Sequence, residues 1–561
     1  MNTVTASTSS HQRPSDNWRR SEPAKRRRRR RGKFLHPLMA ICAAQAALSL
    51  TLVWSNTAFA DEAYYLWAGH LEIAHWLHGT SVPQTMLDGN LSGSPVLYPP
   101  IGAVADSIGG LAAARVLSLI FMLGATILIY LTASRLFGRT AAIVASILWA
   151  VSEPVIRLAF ATYDPLSVLL TALSAWLALQ GGRRRHRLAV VAASGASLAL
   201  ANATAYSGLV IDPVVIAFAV LVWLPSMRPR QAAYCAAWLI GVWAVIFVSV
   251  MSASRSWAGI TFTVLDRSIA DYQSTLLIIS DVWKYSGLII TMAILGAVAA
   301  MTAEARRITL FIILMACATF VVPVAQIRDT TAVSMDKHLA YGIWFGAIAA
   351  GYGFSKLTDA LFMKRRYILG LCSLVVLIYP AANGWEEAWS VYHSWPNASS
   401  YINALRPIAA KTRGPFFVPA AQGHEDHISE YYMPQGAEWA RWDNPGLELD
   451  PSGVPRSSFY TYYAQQLRTD NYGAVVLFYD TTFSNAKLPG NVILYPGGNR
   501  TYDELLSLVG INSHEPGLSA LTLALERDSQ YHLVAVGPYD TQISFTAYYY
   551  GFYAIWQKVQ V

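Results

Sequence analysis

Long apolar runs separated by short polar breaks fill the first two thirds of the chain. Hydrocarbon about 30 Å thick is crossed by about 20 helical residues, and about eleven runs qualify by that rule. They lie near 37–59, 110–135, 140–152, 163–180, 188–207, 210–225, 232–251, 285–303, 308–325, 339–356 and 367–384, the third being short. Beyond residue 384 the pattern changes. Pro, Gly, Asn, Asp and Tyr increase, and short strand-like runs such as YGAVVLFYD (472–480) and YHLVAVGPYD (531–540) accompany a helical stretch near YDELLSLVG. The pattern predicts a polytopic α-helical membrane protein over 37–384 and a small α+β domain over 385–561, with a polar tail over 1–36.

Composition agrees with that division. Of 561 residues, 54% are hydrophobic and 14% charged, with a mean hydropathy of +0.34, which is too apolar for a soluble domain. The four cysteines, Cys42, Cys235, Cys317 and Cys372, all fall inside apolar runs and read as small membrane residues rather than a disulfide framework or metal cluster.

Charge then orients the spans. The tail 1–36 carries a net charge of +9 against +8 for the whole chain, and it ends in KRRRRRRGK. Such a run suggests nucleic acid in a soluble protein. Directly ahead of an apolar run it marks the cytoplasmic side of a span and touches anionic lipid, so no nucleic-acid partner is expected. The tail is too polar to fold alone and is read as disordered. Alternate loops, SRLFGRT, GGRRRHR, PSMRPRQ, EARR and MKRR, are basic as well, which keeps them inside. An odd number of spans then places the C-terminal domain outside the plasma membrane. Ala58-Phe59-Ala60 has the form of a signal-peptidase site, but the run before it is longer than the usual 7 to about 15 residues, so the first span is read as uncleaved.

No P-loop or Rossmann glycine pattern fits the short inner loops, so any chemistry faces outward. The first outer loop opens with Asp61 and Glu62 and continues through Tyr64, Tyr65, Trp67 and Tyr98. The second carries Glu153, Arg157 and Asp164; another offers Arg328, Asp329, Asp336, Lys337 and His338. Asp61 alone would be a helix cap. Two adjacent acids, with Asp164 and cations on other outer loops, predict an assembled polar site. Glu72 and His75 form an E-x-x-H that lacks a second copy, so HLEIAHWLHG reads as an amphipathic interfacial helix rather than a metal motif.

DEAYYLWAGHL after the first span, YPP at 98–100, the Asp of ATYDPL and the repeated helices around one outward site resemble the GT-C glycosyltransferases of family 39, which include protein O-mannosyltransferases and aminoarabinose transferases of lipid A. The likeness is best over 60–180. It implies the GT-C fold and transfer of a hexose or pentose, with inversion, from a polyprenyl-phosphate donor to an envelope glycan, lipid or protein acceptor. Asp61 then matches the family's first-loop acidic residue, its general base or acceptor-binding group, Glu62 its partner and Asp164 the second-loop acid. Lys337, His338, Arg157 and Arg328 become candidates for the donor phosphate, and Tyr64, Tyr65 and Tyr98 for the sugar or acceptor pocket. Relatives differ in metal use; a divalent ion would fall to Asp61, Glu62 and Asp164, and no cofactor is otherwise implied. Tyr98 stands where family members show His. A transporter or flippase and a non-catalytic assembly subunit stay open; Asp212-Pro213, near an outer turn, is the main ionisable exception to otherwise apolar spans.

Overall fold

The computed structural model describes residues 24–559 except 56, 83–90, 183–185, 262, 264–272, 333, 363–365, 395–396, 419–424, 434–450, 481–515 and 545–546. The helical stretch expected near YDELLSLVG lies outside the described residues.

The membrane region runs α1 (Ala24–Val53), α2 (Ala60–His78), α3 (Tyr98–Phe137), α4 (Arg139–Ala150), α5 (Glu153–Arg157), α6 (Asp164–Gly181), α7 (Arg187–Thr204), a 3-10 turn (Tyr206–Ile211), α8 (Asp212–Trp223), α9 (Pro229–Ala253), α10 (Trp257–Thr261), α11 (Thr275–Ala303), α12 (Arg306–Cys317), α13 (Val321–Arg328), α14 (Met335–Phe362) and α15 (Arg366–Ser394). Among the described residues six helical segments are long and apolar enough to cross a membrane: Tyr98–Phe137, Arg187–Thr204, Tyr206–Trp223, Pro229–Ala253, Thr275–Thr302 and Arg306–Arg328; Pro37–Val53 and Arg139–Ala150 are shorter apolar helices.

Three boundaries differ from the sequence reading. Helix α1 begins at Ala24, so the described part of the basic tail is helical. Helix α3 begins at Tyr98 rather than near 110, because Pro99 and Pro100 occupy its first turn, where a missing N–H costs nothing. It kinks at Gly109 and Gly110, the latter at φ 66°, which glycine adopts freely. Helix α15 continues past residue 385 to Ser394.

The helices pack through small residues, as lipid-embedded bundles do. A Cβ on Gly353 of α14 would lie 2.6 Å from Gly296 Cα of α11, and one on Gly69 of α2 would strike the Pro99 carbonyl. The buried tryptophans pair their indole N–H across helices: Trp149 donates to Thr126 Oγ1 (3.0 Å), Trp223 to the Ala178 carbonyl (2.8 Å) and Trp344 to the Ala125 carbonyl (3.2 Å).

The C-terminal region adds α16 (Ser399–Ala409), β1 (Phe416–Phe417), α17 (Glu425–Tyr432), α18 (Phe459–Thr469), β2 (Ala474–Asp480), α19 (Pro516–Arg527), β3 (Tyr531–Ser544) and β4 (Ala547–Lys558). The sheet order is β1-β2-β4-β3, with β1 parallel to β2 and the other pairs antiparallel. Strand β2 alternates with period two between the sheet faces. Ala474, Val476 and Phe478 pack with Tyr401, Ile402 and Leu405 of α16 and with Ala58 and Ala63 of the membrane region. Val475, Leu477 and Tyr479 pack with Phe459, Tyr463 and Leu467 of α18 and Leu521 and Leu525 of α19.

Polar contacts also hold this region to the α1–α2 connection and to the N-terminal part of α3. Ala58 N–H donates to Tyr432 Oη (2.7 Å), Ala398 N–H to Thr57 Oγ1 (2.9 Å) and Tyr431 O–H to Asp106 Oδ1 (2.6 Å). His70 Nε2 lies 2.7 Å from the other Asp106 oxygen, and the His427 ring stacks on Tyr64 with centroids 4.0 Å apart.

Candidate active site

Asp61 and Glu62 begin one helix, but successive residues on a helix point about 100° apart, so the two carboxylates face different neighbours. Glu62 turns inward. It is fully buried and takes a bidentate pair from Arg115 of α3, Nε to Oε1 at 2.8 Å and Nη2 to Oε2 at 2.7 Å. Its oxygens also accept from Ala161 N–H (2.9 Å) and from Phe59 N–H (3.2 Å), the latter reaching back to the N-cap. Arg115 in turn donates to the carbonyls of Ser55 (2.9 Å), Thr57 (3.2 Å) and Val53 (3.3 Å) and lies over the Phe160 ring. The pair ties the α1–α2 connection, the start of α2, α3 and the 158–163 loop together. The cap that Asp61 alone would have offered is supplied by Glu62, which accepts from Phe59 N–H.

Asp61 faces outward, its side chain 31% exposed, and Lys337 Nζ of α14 lies 2.8 Å from its Oδ2. The same ammonium is 3.5 Å from Asp164 Oδ2 at the start of α6. His338 Nε2 is 3.6 Å from Asp164 Oδ1. Three elements distant in sequence therefore bring two carboxylates around one lysine, with an imidazole beside them. Lys337 and His338 occupy the first turn of α14, which Met335 and Leu339 anchor in an apolar cluster with α11.

Arg157, at the end of α5, pairs with Asp336, next to Lys337. Burial pulls its guanidinium below the ordinary value, while Glu153, Tyr285, Asp61 and Asp164 oppose that by favouring the charge. Glu153, four residues earlier, is buried among three charges from two other elements: Glu387 of α15, and Lys284 and Asp281 of α11. Burial and then Glu387 push its carboxyl from 4.5 up to about 8, against Lys284 and Arg157. A carboxyl raised by folding stabilises below its unfolded value and loses that contribution as pH rises through the folded one. Thermal unfolding of detergent-solubilised protein is thus expected to show stability falling between about pH 4.5 and 8. Glu153→Gln should flatten that fall; an unchanged slope would assign it to other groups.

The remaining candidates lie elsewhere. Arg328 is 69% exposed and pairs with its neighbour Asp329, so it does not join Lys337. Tyr98 is buried with its hydroxyl 3.4 Å from Ser118, and Tyr65 packs against Tyr163 at 4.2 Å between centroids. Tyr64 stacks between Trp67 and His427. Among the described residues no group of three or more His, Cys, Asp or Glu is arranged to hold a metal. Glu62, committed to Arg115, does not complete a set with Asp61 and Asp164. Sequence reasoning missed Arg115, although an arginine near the start of the apolar run 110–135, far from its basic end at Arg135, was itself a signal. It also missed Asp106, Tyr431 and His427, whose pairing joins distant segments without a local pattern.

Residues 104–253 match the profile of the family described as dolichyl-phosphate-mannose-protein mannosyltransferase. No curated protein matches the sequence. Among solved structures, the fold is similar to ArnT from Cupriavidus metallidurans bound to undecaprenyl phosphate, at 13% identity and a TM-score of 0.53 over 92% of this chain and 97% of that one. It is also similar to the Archaeoglobus fulgidus oligosaccharyltransferase tethered with an acceptor peptide, at 14% identity and a TM-score of 0.52 over 79% and 69%. The same archaeal enzyme, AglB, in complex with an inhibitory peptide and a dolichol-phosphate, matches at 14% identity and a TM-score of 0.51 over 78% and 69%. The chain is a multi-pass membrane protein with the GT-C fold.

Proposed function

We propose that this GT-C chain is a glycosyltransferase that moves a hexose or pentose from a polyprenyl-phosphate donor to a hydroxyl of an envelope glycan, lipid or protein on the extracytoplasmic side, with inversion. The observation that carries the reading is the convergence of Asp61, Asp164, Lys337 and His338 at the outer ends of three helices. The polyprenyl phosphates held by ArnT and AglB, and the peptides held by the archaeal enzyme, support the donor class and leave the acceptor class broad.

In this reaction the acceptor oxygen attacks the anomeric carbon from the face opposite the phosphate. The new C–O bond forms as the bond from that carbon to the phosphate oxygen breaks, and its electron pair leaves with the phosphate. The acceptor proton passes to Asp61. In this structure Lys337 Nζ occupies Asp61 Oδ2. A donor phosphate that draws Lys337 frees Asp61 at the moment a base is needed and receives the ammonium where leaving-group charge develops. Asp164 keeps Lys337 and His338 in place through that exchange. Arg157 is a second phosphate candidate, held in reserve by Asp336. Glu62 and Arg115 position Asp61 and touch no reacting atom.

Hydrogen bonds to charged groups contribute about 1.5–3 kcal/mol, so Lys337→Gln is expected to weaken donor binding roughly 10- to 100-fold. The test is transfer of labelled sugar from a panel of polyprenyl-phosphate sugars into envelope extract by purified protein. A wild type that is folded, yet neither binds polyprenyl phosphate nor turns over any donor, would sink the proposal in favour of a transport or assembly role.

A further inference from the structure

One turn below Asp164 and Lys337 the bundle interior is polar. Ser167 lies three residues along α6 from Asp164, and Tyr341 four residues along α14 from Lys337, so both sit on the faces that carry the catalytic candidates. Across from them the chain between α7 and α8 stops being α-helical. Ala205 is extended (φ −141°, ψ 117°) and Tyr206–Ile211 form a 3-10 turn before Asp212 opens α8. Irregular backbone at membrane depth is tolerated where it is buried in protein or lines a binding cavity, and broken helices mark such sites.

The side chains at the break converge. A Cβ built on Gly208 would lie 3.2 Å from Asn202 Oδ1, 3.3 Å from Ser167 Oγ and 3.5 Å from Tyr341 Cε1. Asn202 donates from Nδ2 to Asp212 Oδ2 at 2.6 Å. Asn202 is fully buried and Asp212 92% buried, and the other oxygen of each, Asn202 Oδ1 and Asp212 Oδ1, has no hydrogen-bond partner among the described residues. Buried acceptors without donors are costly and uncommon in native proteins. Two on adjoining side chains, directly beneath a cluster that handles a phosphate, call for a partner that brings hydroxyl donors.

We infer that Asn202 and Asp212, with Ser167 and Tyr341 around Gly208, form the pocket that reads the ring hydroxyls of the transferred sugar. This rests on the glycosyltransferase reading and adds the residues that set sugar preference. The two acceptor oxygens belong to one hydrogen-bonded pair, so they suit neighbouring hydroxyls of a single ring. Glycine at 208 keeps side-chain bulk away from Asn202, Ser167 and Tyr341, and the Asp212-Pro213 step fixes the start of α8 at that depth. The depth is consistent with the bond to be cut: the phosphate stays level with Lys337 and the sugar reaches one turn further in.

The test compares wild type with Asp212→Asn, Asn202→Ala and Gly208→Ala. Each is assayed for binding of undecaprenyl phosphate alone and of undecaprenyl-phosphate sugars that differ at one ring hydroxyl, with thermal unfolding as the control for folding. Gly208→Ala removes no polar group and serves if the other two fail to fold. The expected result is about a tenfold or greater loss of affinity for the sugar-bearing donor, a flattened preference among the sugars, and unchanged binding of the bare lipid phosphate. Folded variants that keep wild-type sugar preference would overturn the inference and leave Asn202 and Asp212 as an acid–amide ring closed by one proton. Equal loss for bare and sugar-bearing lipid would overturn it too, placing the pair in the lipid path. Wild type that binds no polyprenyl phosphate would remove the underlying function instead.

Discussion

Asp61→Asn is expected to lower sugar transfer about 10²- to 10⁴-fold, the usual contribution of a positioned general base, in a protein that folds as wild type does. Folding should survive because Asp61 is a third exposed and caps no helix; Glu62 performs that task. Asparagine keeps the shape and a hydrogen-bonding oxygen, but it removes the charge that accepts the acceptor's proton. It also releases Lys337 from one of its two carboxylates, so donor binding should hold or tighten while turnover falls. A split of that kind, with kcat lost and donor affinity kept, distinguishes a base from a group that only binds substrate. If kcat stays within threefold of wild type, Asp61 is not the base, and Asp164 becomes the group to test.

Arg115→Ala is expected to destabilise the fold by about 3–5 kcal/mol, because it leaves Glu62 buried with its charge unmatched. Arg115 is 1% exposed and spends its donors on Glu62 and three carbonyls of the α1–α2 connection, so the loss frees that connection as well. Glu62→Gln, which keeps the acceptors for Phe59 and Ala161 and strands the arginine less severely, should cost less. The apolar double variant Arg115→Met with Glu62→Leu should recover stability and still not recover transfer, since Asp61 would lose the framework that aims it. Thermal unfolding and transfer assays on the three variants separate these roles. Full activity in a stable double variant would show that the pair holds the fold without aiming Asp61.

The membrane architecture was legible because a span is defined by length and apolarity, which a single sequence displays directly. Boundaries were less so. The YPP segment read as loop because proline marks turns, yet at the first helical positions it starts a helix, and α3 gained its outer segment from that. The site was half legible. Asp61, Asp164 and Lys337 stood at span ends, where an ionisable group is conspicuous, but adjacency misled for Glu62: residues side by side in a helical sequence face apart. Arg115 was hidden by the averaging that found its span, since one cation among many apolar residues leaves a run apolar. The Asp106–Tyr431 contact spans 325 positions, and no local pattern encodes it.

The kink in α3 separates two attachments. Asp106, three residues before Gly109, is gripped by His70 and Tyr431, while Arg115, five residues after Gly110, is locked to Glu62. Between them lie two glycines, one already in the left-handed region, whose backbone rotations meet little steric resistance. A displacement carried by the Tyr431–Asp106 contact alone would bend α3 at the glycines, whereas Tyr432 and Ala398 hold the α1–α2 connection directly. The first segment of α3 can therefore follow the C-terminal region through Asp106 without turning the helix that carries Arg115.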